Sequence, residues 1–182
     1  MSLWLVRHAR PLIASGICYG ALDVSADGQQ TQVAAQALAK ELPKGIPVQV
    51  SPLMRCQQLA RALMQLRSDL QFRTDPDLRE MDFGCWEGVT WDDIPRAALD
   101  DWTADFAGHR FGGKESAGEV LARVARAWDA RQHGSTSDNV LWISHAGVAR
   151  AATLLQQNIR QLNAAADWPT INLAYGAWMQ FE

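Results

Sequence analysis

The sequence predicts an α/β fold, a three-layer sandwich around a mostly parallel central sheet. Two short apolar runs, Leu3-Trp4-Leu5-Val6 and Val140-Leu141-Trp142-Ile143, have the unbroken hydrophobicity of strands covered on both faces. Segments with helical periodicity separate the strand candidates, and that alternation builds parallel sheets. The chain has 182 residues, 48% hydrophobic and 20% charged, which suits a single globular domain over 1–182.

The elements follow in order. Leu3 to Val6 is the first strand. Residues 9–28 carry Pro11, Gly16, Gly20 and Gly28 without a clear period and read as a loop. Asp27-Gly28-Gln29-Gln30 reads as a capping box opening an alanine-rich helix, with Val33, Ala37, Leu38 and Leu42 on one face. Pro43-Lys44-Gly45 ends it, and Pro47 to Val50 is a second strand. Ser51 is the expected N-cap and Pro52 the first residue of a helix running to about Leu66, with Leu59, Leu63 and Leu66 inward. Leu70 to Thr74 is a third strand. Residues 78–115 gather Trp86, Trp91, Trp102, Phe83, Phe106 and Phe111 among Asp, Gly and Pro, a cap-like excursion with one short helix near 92–101. Ser116-Ala117-Gly118-Glu119 is a second capping box, with a helix to about Arg131. A strand at 139–144, a helix at 147–157 and a final strand at 173–181 complete the chain.

Composition excludes several function classes. The net charge of −3 gives no overall field to attract nucleic acid or an anionic membrane. No apolar span reaches 18 residues, and the run before Arg7 is too short for a signal peptide. The three cysteines, Cys18, Cys56 and Cys85, are odd in number and lack a C-x-x-C pair, against a disulfide scaffold or a thiolate zinc site. A cytoplasmic protein with reduced thiols is expected, with no metal and no cofactor. Of 17 basic residues, 14 are arginine, the side chain suited to bidentate binding of phosphate or carboxylate.

Three strand ends carry polar groups. The first delivers Arg7 and His8. The second delivers Ser51 and, in the following helical turn, Arg55. The fourth delivers Ser144 and His145, followed by Ala146-Gly147. Ligands of open α/β sheets bind at the carboxyl ends of the strands, so these segments should converge. Two arginines, two histidines and two helix N-termini would gather there, an arrangement that calls for an anion such as a phosphoryl group. Phosphoryl transfer without metal needs a nucleophile, charge neutralisation and a proton donor. A neutral histidine can be the nucleophile if a carbonyl fixes its tautomer. Residue types alone leave Glu80, Glu87 and Asp82 open as the acid. The clustered Asp82, Asp92, Asp93, Asp100 and Asp101 read as a solvated turn and helix start rather than a metal site.

These segments carry a resemblance. Leu5-Val6-Arg7-His8-Ala9 resembles the Arg-His-Gly signature of the histidine phosphatase superfamily, the phosphoglycerate-mutase-like fold. Ser51-Pro52-Leu53-Met54-Arg55-Cys56 is similar to its second arginine segment, Leu78 to Gly88 to its acid segment, and Ser144-His145-Ala146-Gly147 to its second histidine segment. The resemblance covers residues 5–147. It implies that His8 becomes phosphohistidine, that Arg7, Arg55 and His145 hold the phosphoryl oxygens, and that Glu80 protonates the leaving group. It implies a hydrolase without metal, and dephosphorylation rather than mutase activity in a chain with so small a cap.

Further segments resemble the α-ribazole phosphatase branch. They are Gly16-Ile17-Cys18-Tyr19-Gly20-Ala21-Leu22-Asp23-Val24, Phe83-Gly84-Cys85-Trp86-Glu87-Gly88 with Trp91-Asp92-Asp93-Ile94, and Arg110-Phe111-Gly112-Gly113-Lys114-Glu115-Ser116, where Lys114 interrupts the usual run. This adds Tyr19, Gly20 and Ala146 to the expected substrate contacts. Ala9 departs from the usual glycine. Arg10 and Pro11 stand where many members have Glu and Thr, and Ala14 where many have Asn, so one oxygen contact is either missing or supplied by Arg10 or Ser15. The implied substrate is a small phosphomonoester, α-ribazole 5′-phosphate or the phosphorylated cobalamin precursor, with the aromatic excursion stacking on a benzimidazole. A broad sugar-phosphate or nucleotide phosphatase is the alternative. A non-catalytic phosphate-binding module is disfavoured because all five central residues are present. A homodimer is left open.

Overall fold

The computed structural model describes residues 2–133 and 139–182. Five strands, β1 (Ser2–Arg7), β2 (Pro47–Val50), β3 (Gln71–Thr74), β4 (Asn139–Ser144) and β5 (Trp178–Phe181), form one sheet in the order β3-β2-β4-β1-β5. The first four run parallel, and β5 lies antiparallel beside β1. The helices are α1 (Gly28–Glu41), α2 (Met54–Leu66), α3 (Arg96–Ala104), α4 (Ala117–His133) and α5 (Ala146–Gln156).

Alternation of side chains across each strand divides the core in two. Leu3, Leu5, Val140 and Trp142 face the layer of α4 and α5, where Val120, Leu121, Val148 and Ala152 cover them. Val6, Val48, Val50, Leu141 and Ile143 face α1 and α2, against Leu38, Leu59 and Leu63. Both faces are dry, which is why these strands read as continuous apolar runs. Each fully buried leucine contributes about 1.5–3 kcal/mol of transfer free energy. This is the three-layer, mostly parallel arrangement expected for the phosphoglycerate-mutase-like fold.

The local signals mostly hold. Asp27 caps α1, accepting from the Gln30 amide. The box at α4 is reciprocal: the Ser116 amide donates to Glu119, and the Glu119 amide to Ser116 Oγ. Several details differ. The buried face of α1 is Thr31, Ala34, Ala35 and Leu38, so Val33 is turned out, 60% exposed. Leu66, at the end of α2, is 45% exposed. The cap of α2 is Leu53 with no side-chain bond, because Ser51 is bonded elsewhere, and Pro52 precedes the helix. The helix expected near 92–101 is α3 at Arg96–Ala104. The last strand is only Trp178–Phe181, because residues 173–177 leave the sheet to bond the strand end of β1.

Register sets the site. Arg7 pairs with Ser144 and Val50 with Ile143, so β1, β4 and β2 end level with one another. His8, His145 and Ser51, each one residue beyond its strand, therefore emerge side by side. Above them, residues 76–116 fold through 3₁₀ turns at Pro76–Leu78, Gly84–Trp86 and Trp91–Asp93 and through α3. An aromatic cluster holds this excursion together: Trp102 stacks on Phe111 at 4.4 Å, and Phe83 meets Phe111 edge-on at 6.1 Å.

Candidate active site

His8 is buried at 2% exposure, and its Nδ1 lies 2.7 Å from the Ala9 carbonyl oxygen. A carbonyl can only accept, so Nδ1 carries the proton and Nε2 presents a lone pair. Arg55 Nε donates to that Nε2 at 3.2 Å. Burial pushes the His8 pKa down to about 3, and the charges of Arg55 and then Arg7 add to it, against the Ala9 bond. The imidazole is therefore neutral at pH 7. Ala9 itself is buried and does not adopt a left-handed conformation.

Both arginines are held in place by backbone carbonyls. Arg55, in the first turn of α2, is fully buried; it donates to the carbonyls of Leu22 at 3.0 Å and Gly20 at 2.6 Å. Arg7, the last residue of β1, donates to the Leu173 carbonyl at 2.8 Å and lies 3.9 Å from the centre of the Tyr175 ring. Its Nε is buried without a partner. Neither guanidinium meets a carboxylate among the described residues.

His145 is the N-cap of α5, wholly buried, its ring 5.1 Å from that of His8. Its Nε2 lies 2.8 Å from Ser51 Oγ. A hydroxyl can donate or accept, so this contact serves either tautomer of His145. Burial and then the Arg55 charge hold its pKa well below the ordinary value. No side chain of its own caps α5, and there is no acid in the first turn. Two guanidiniums without a carboxylate partner and a helix N-terminus thus line one cavity, with the buried His145 ring 5.1 Å from that of His8, the electrostatics of an anion site.

Glu80 is the acid that reaches this point. Its Oε2 accepts from the Gly147 amide at 3.1 Å and its Oε1 from the Met81 amide at 3.2 Å. Its backbone is clamped on both sides. Ser144 Oγ donates to the Leu78 carbonyl, Arg123 to the Arg79 carbonyl, and the Asp82 amide to Glu115. Glu115 and Arg123 are themselves a buried pair at 2.7 Å. Glu87 is differently occupied: it accepts from the amides of Gly20, Ala21, Leu22 and Phe83, all at 2.9–3.0 Å. It shapes the 20–22 loop whose carbonyls hold Arg55. Asp82 accepts from the Gly84 amide and faces a separate cleft with Lys114 and Arg126.

His8, Arg7, Arg55, Glu80, Ala146 and Tyr19 open into one cavity of about 450 Å³. Phe83, Trp91, Trp102, Phe106 and Trp168 form its far wall. Arg10 does not reach it: with Ala14 and Ser15 it lines a neighbouring cleft, separated by Tyr19 and Tyr175, whose hydroxyls lie 3.0 Å apart. Gly20 is not on the cavity wall either. It passes so close to Met81 that a Cβ would stand 1.9 Å from the Met81 carbonyl. Among the described residues no group of three or more His, Cys, Asp or Glu could hold a metal ion, and no helix is long and apolar enough to cross a membrane.

The family model of the histidine phosphatase superfamily, branch 1, matches residues 3–174. The chain belongs to the histidine phosphatase superfamily. It is a phosphatase, and the matched region holds His8, Arg7, Arg55, Glu80 and His145, while Tyr175 lies one residue past its end. Among solved structures, it is similar to the mycobacterial glucosyl-3-phosphoglycerate phosphatase Rv2419c, with 28% identity and a TM-score of 0.75 over 98% of this chain and 88% of that one. Mycobacterial hydrolase 1 is 26% identical with a TM-score of 0.79, over 98% and 90%. TTHB049 from Thermus thermophilus is 25% identical with a TM-score of 0.71, over 99% and 92%. A search of curated proteins finds no match.

The histidine phosphatase site also holds residues that sequence reasoning passed over. Leu173 and Tyr175 hold Arg7 from the segment before β5, and Trp168 and Arg150 line the cavity. The Leu173 contact is made by a backbone carbonyl and leaves no mark on residue type. Arg150 follows His145-Ala146-Gly147 by one helical turn, and that spacing was a usable signal.

Proposed function

We propose that this histidine phosphatase hydrolyses small phosphomonoesters through a phosphohistidine on His8. The observation that carries the reading is the bond from His8 Nδ1 to the Ala9 carbonyl, which leaves Nε2 as a buried, neutral nucleophile. Nε2 attacks phosphorus, and the bond to the leaving alkoxide breaks as Glu80 delivers its proton. Arg7, Arg55, His145 and the α5 N-terminus take the phosphoryl oxygens, fixed donors of the kind that stabilise developing charge without reorganising. Glu80, now a carboxylate, removes a proton from water. The water oxygen attacks phosphorus and the P–N bond breaks, which returns neutral His8 and releases phosphate. No metal takes part.

The preferred substrate is α-ribazole 5′-phosphate or the phosphorylated cobalamin precursor. Support comes from the sequence segments around Tyr19, Trp86 and Phe111 and from the aromatic wall of Phe83, Trp91 and Trp102, whose planes suit a benzimidazole. A broader sugar-phosphate or nucleotide phosphatase is the second reading, favoured by the similarity to a glucosyl-3-phosphoglycerate phosphatase. The test is kcat/KM in EDTA for α-ribazole 5′-phosphate, 3-phosphoglycerate, a nucleoside monophosphate and p-nitrophenyl phosphate. A preference of a hundredfold for the riboside, about 2.7 kcal/mol of transition-state binding, supports the first substrate. A flat profile supports the second. Loss of all turnover in EDTA overturns the metal-free mechanism.

A further inference from the structure

Arg150 stands in the second turn of α5, three residues after Gly147 and four after Ala146, so all three share one helical face. That face looks into the cavity, and Arg150 is part of its wall. Unlike Arg123, Arg126 and Arg160, which each meet a carboxylate, the Arg150 side chain makes no hydrogen bond or ion pair with any described residue. Its Nε is shut off from solvent and unbonded. The carboxylate in the cavity does not serve it: Glu80 accepts from the Met81 and Gly147 amides and forms no ion pair with Arg150. A half-buried guanidinium without an acceptor leaves desolvation uncompensated within the protein. The protein supplies no acceptor to this side chain, so its donors are left for what fills the cavity.

The position says which part of the ligand supplies it. The phosphoryl group belongs beside His8, at the start of α5. The Arg150 Cα lies about 4.5 Å further along that axis, three residues at about 1.5 Å each, and its side chain shares the cavity with the aromatic wall of Trp91, Trp102 and Trp168. We propose that Arg150 binds a second anionic substituent, a carboxylate or phosphate, carried by the alcohol that leaves. This rests on the phosphatase reading above and narrows its substrate class. Free α-ribazole 5′-phosphate carries no such group. A riboside further esterified through phosphate carries one, and so does a phosphoglycerate.

The test compares matched substrates. 3-Phosphoglycerate is set against glycerol 3-phosphate, and adenosine 3′,5′-bisphosphate against adenosine 5′-phosphate, with the released product identified in each case. The wild-type protein is expected to favour the member with the extra anion by tenfold or more in at least one pair. The pair that shows it separates a carboxylate from a phosphate ligand. In R150M that ratio should fall to near one, and in R150K to an intermediate value, because lysine keeps the charge but not the fork. The proposal is overturned if wild type shows no preference in either pair, a result that needs no variant to fold. It is also overturned if R150M lowers both members equally, as a packing role would. Failure of the wild type on p-nitrophenyl phosphate as well would instead remove the phosphatase reading beneath it.

Discussion

Glu80 can approach α5 only because residue 147 has no side chain: a Cβ on Gly147 would stand 2.2 Å from Glu80 Oε1. The carboxyl group and the helix N-terminus share a space that one methyl group would fill. Gly147→Ala is therefore expected to push the carboxylate out of line while leaving the sheet intact. A displacement near 1 Å costs on the order of 10²-fold in kcat. Steady-state kinetics beside a thermal melt would check it, with Tm moving far less than kcat.

Glu80→Gln removes the proton but keeps the shape. An alkyl phosphate should lose about 10²–10⁴-fold in kcat, whereas an activated aryl ester, whose leaving group needs no proton, should lose much less. The two rates measured side by side decide it. Equal losses would move the acid role elsewhere.

Glu87→Gln acts on stability first. Four backbone amides donate to its carboxylate, and an amide side chain would turn its own NH₂ toward some of them. Weakening several charge-assisted bonds should cost about 2–4 kcal/mol, and at about 2–4 °C per kcal/mol in a chain of this size Tm should fall by roughly 5–15 °C. Because the same loop holds Arg55, KM for phosphate esters should rise as well.

The two buried histidines make folding sensitive to acid. The pKa of His8 falls from 6.5 to about 3 on folding, and that of His145 also falls. Between those values the unfolded chain binds a proton that the folded one refuses. Stability is therefore unaffected by His8 above pH 6.5, declines as pH falls below it, and levels off near pH 3. Denaturant melts from about pH 7 to about pH 4 should show this slope, and it should be shallower in His8→Asn. Turnover follows a different rule. His8 stays neutral in the free enzyme through this range, so the acid limb of kcat/KM should track ionisation of the substrate phosphate, near about pH 6.

The centre of the site was legible because it sits at strand ends. Apolar runs that stop at Arg7-His8 and at Ser144-His145 announce their own exit edge, and a parallel sheet sends every such edge to one side. What escaped was whatever depends on contacts distant in the chain. Residue types did not separate Glu80 from Glu87, because the difference is four amides, three of them on a loop some 65 residues earlier. Ser51 looked like a helix cap, but its hydroxyl is bonded to His145, 94 residues away. Val33 fitted an apolar stripe, yet α1 packs its small face, Ala34 and Ala35, toward α2 and the sheet. Arg10 stood beside the key histidine in sequence, and the chain turns it into the next cleft.

The bond from Arg7 to the Leu173 carbonyl spans 166 residues, and the antiparallel docking of β5 beside β1 is what permits it. Such a closure is among the longest loops this chain can form, and it brings together the two ends of the chain. A compact intermediate with β1 to β4 already paired would hold His8, Arg55 and Glu80 yet lack the roof over Arg7. Phosphate turnover in a refolding experiment would then appear after the bulk of the helical signal, which makes the enzyme's own activity a clock for its final folding step.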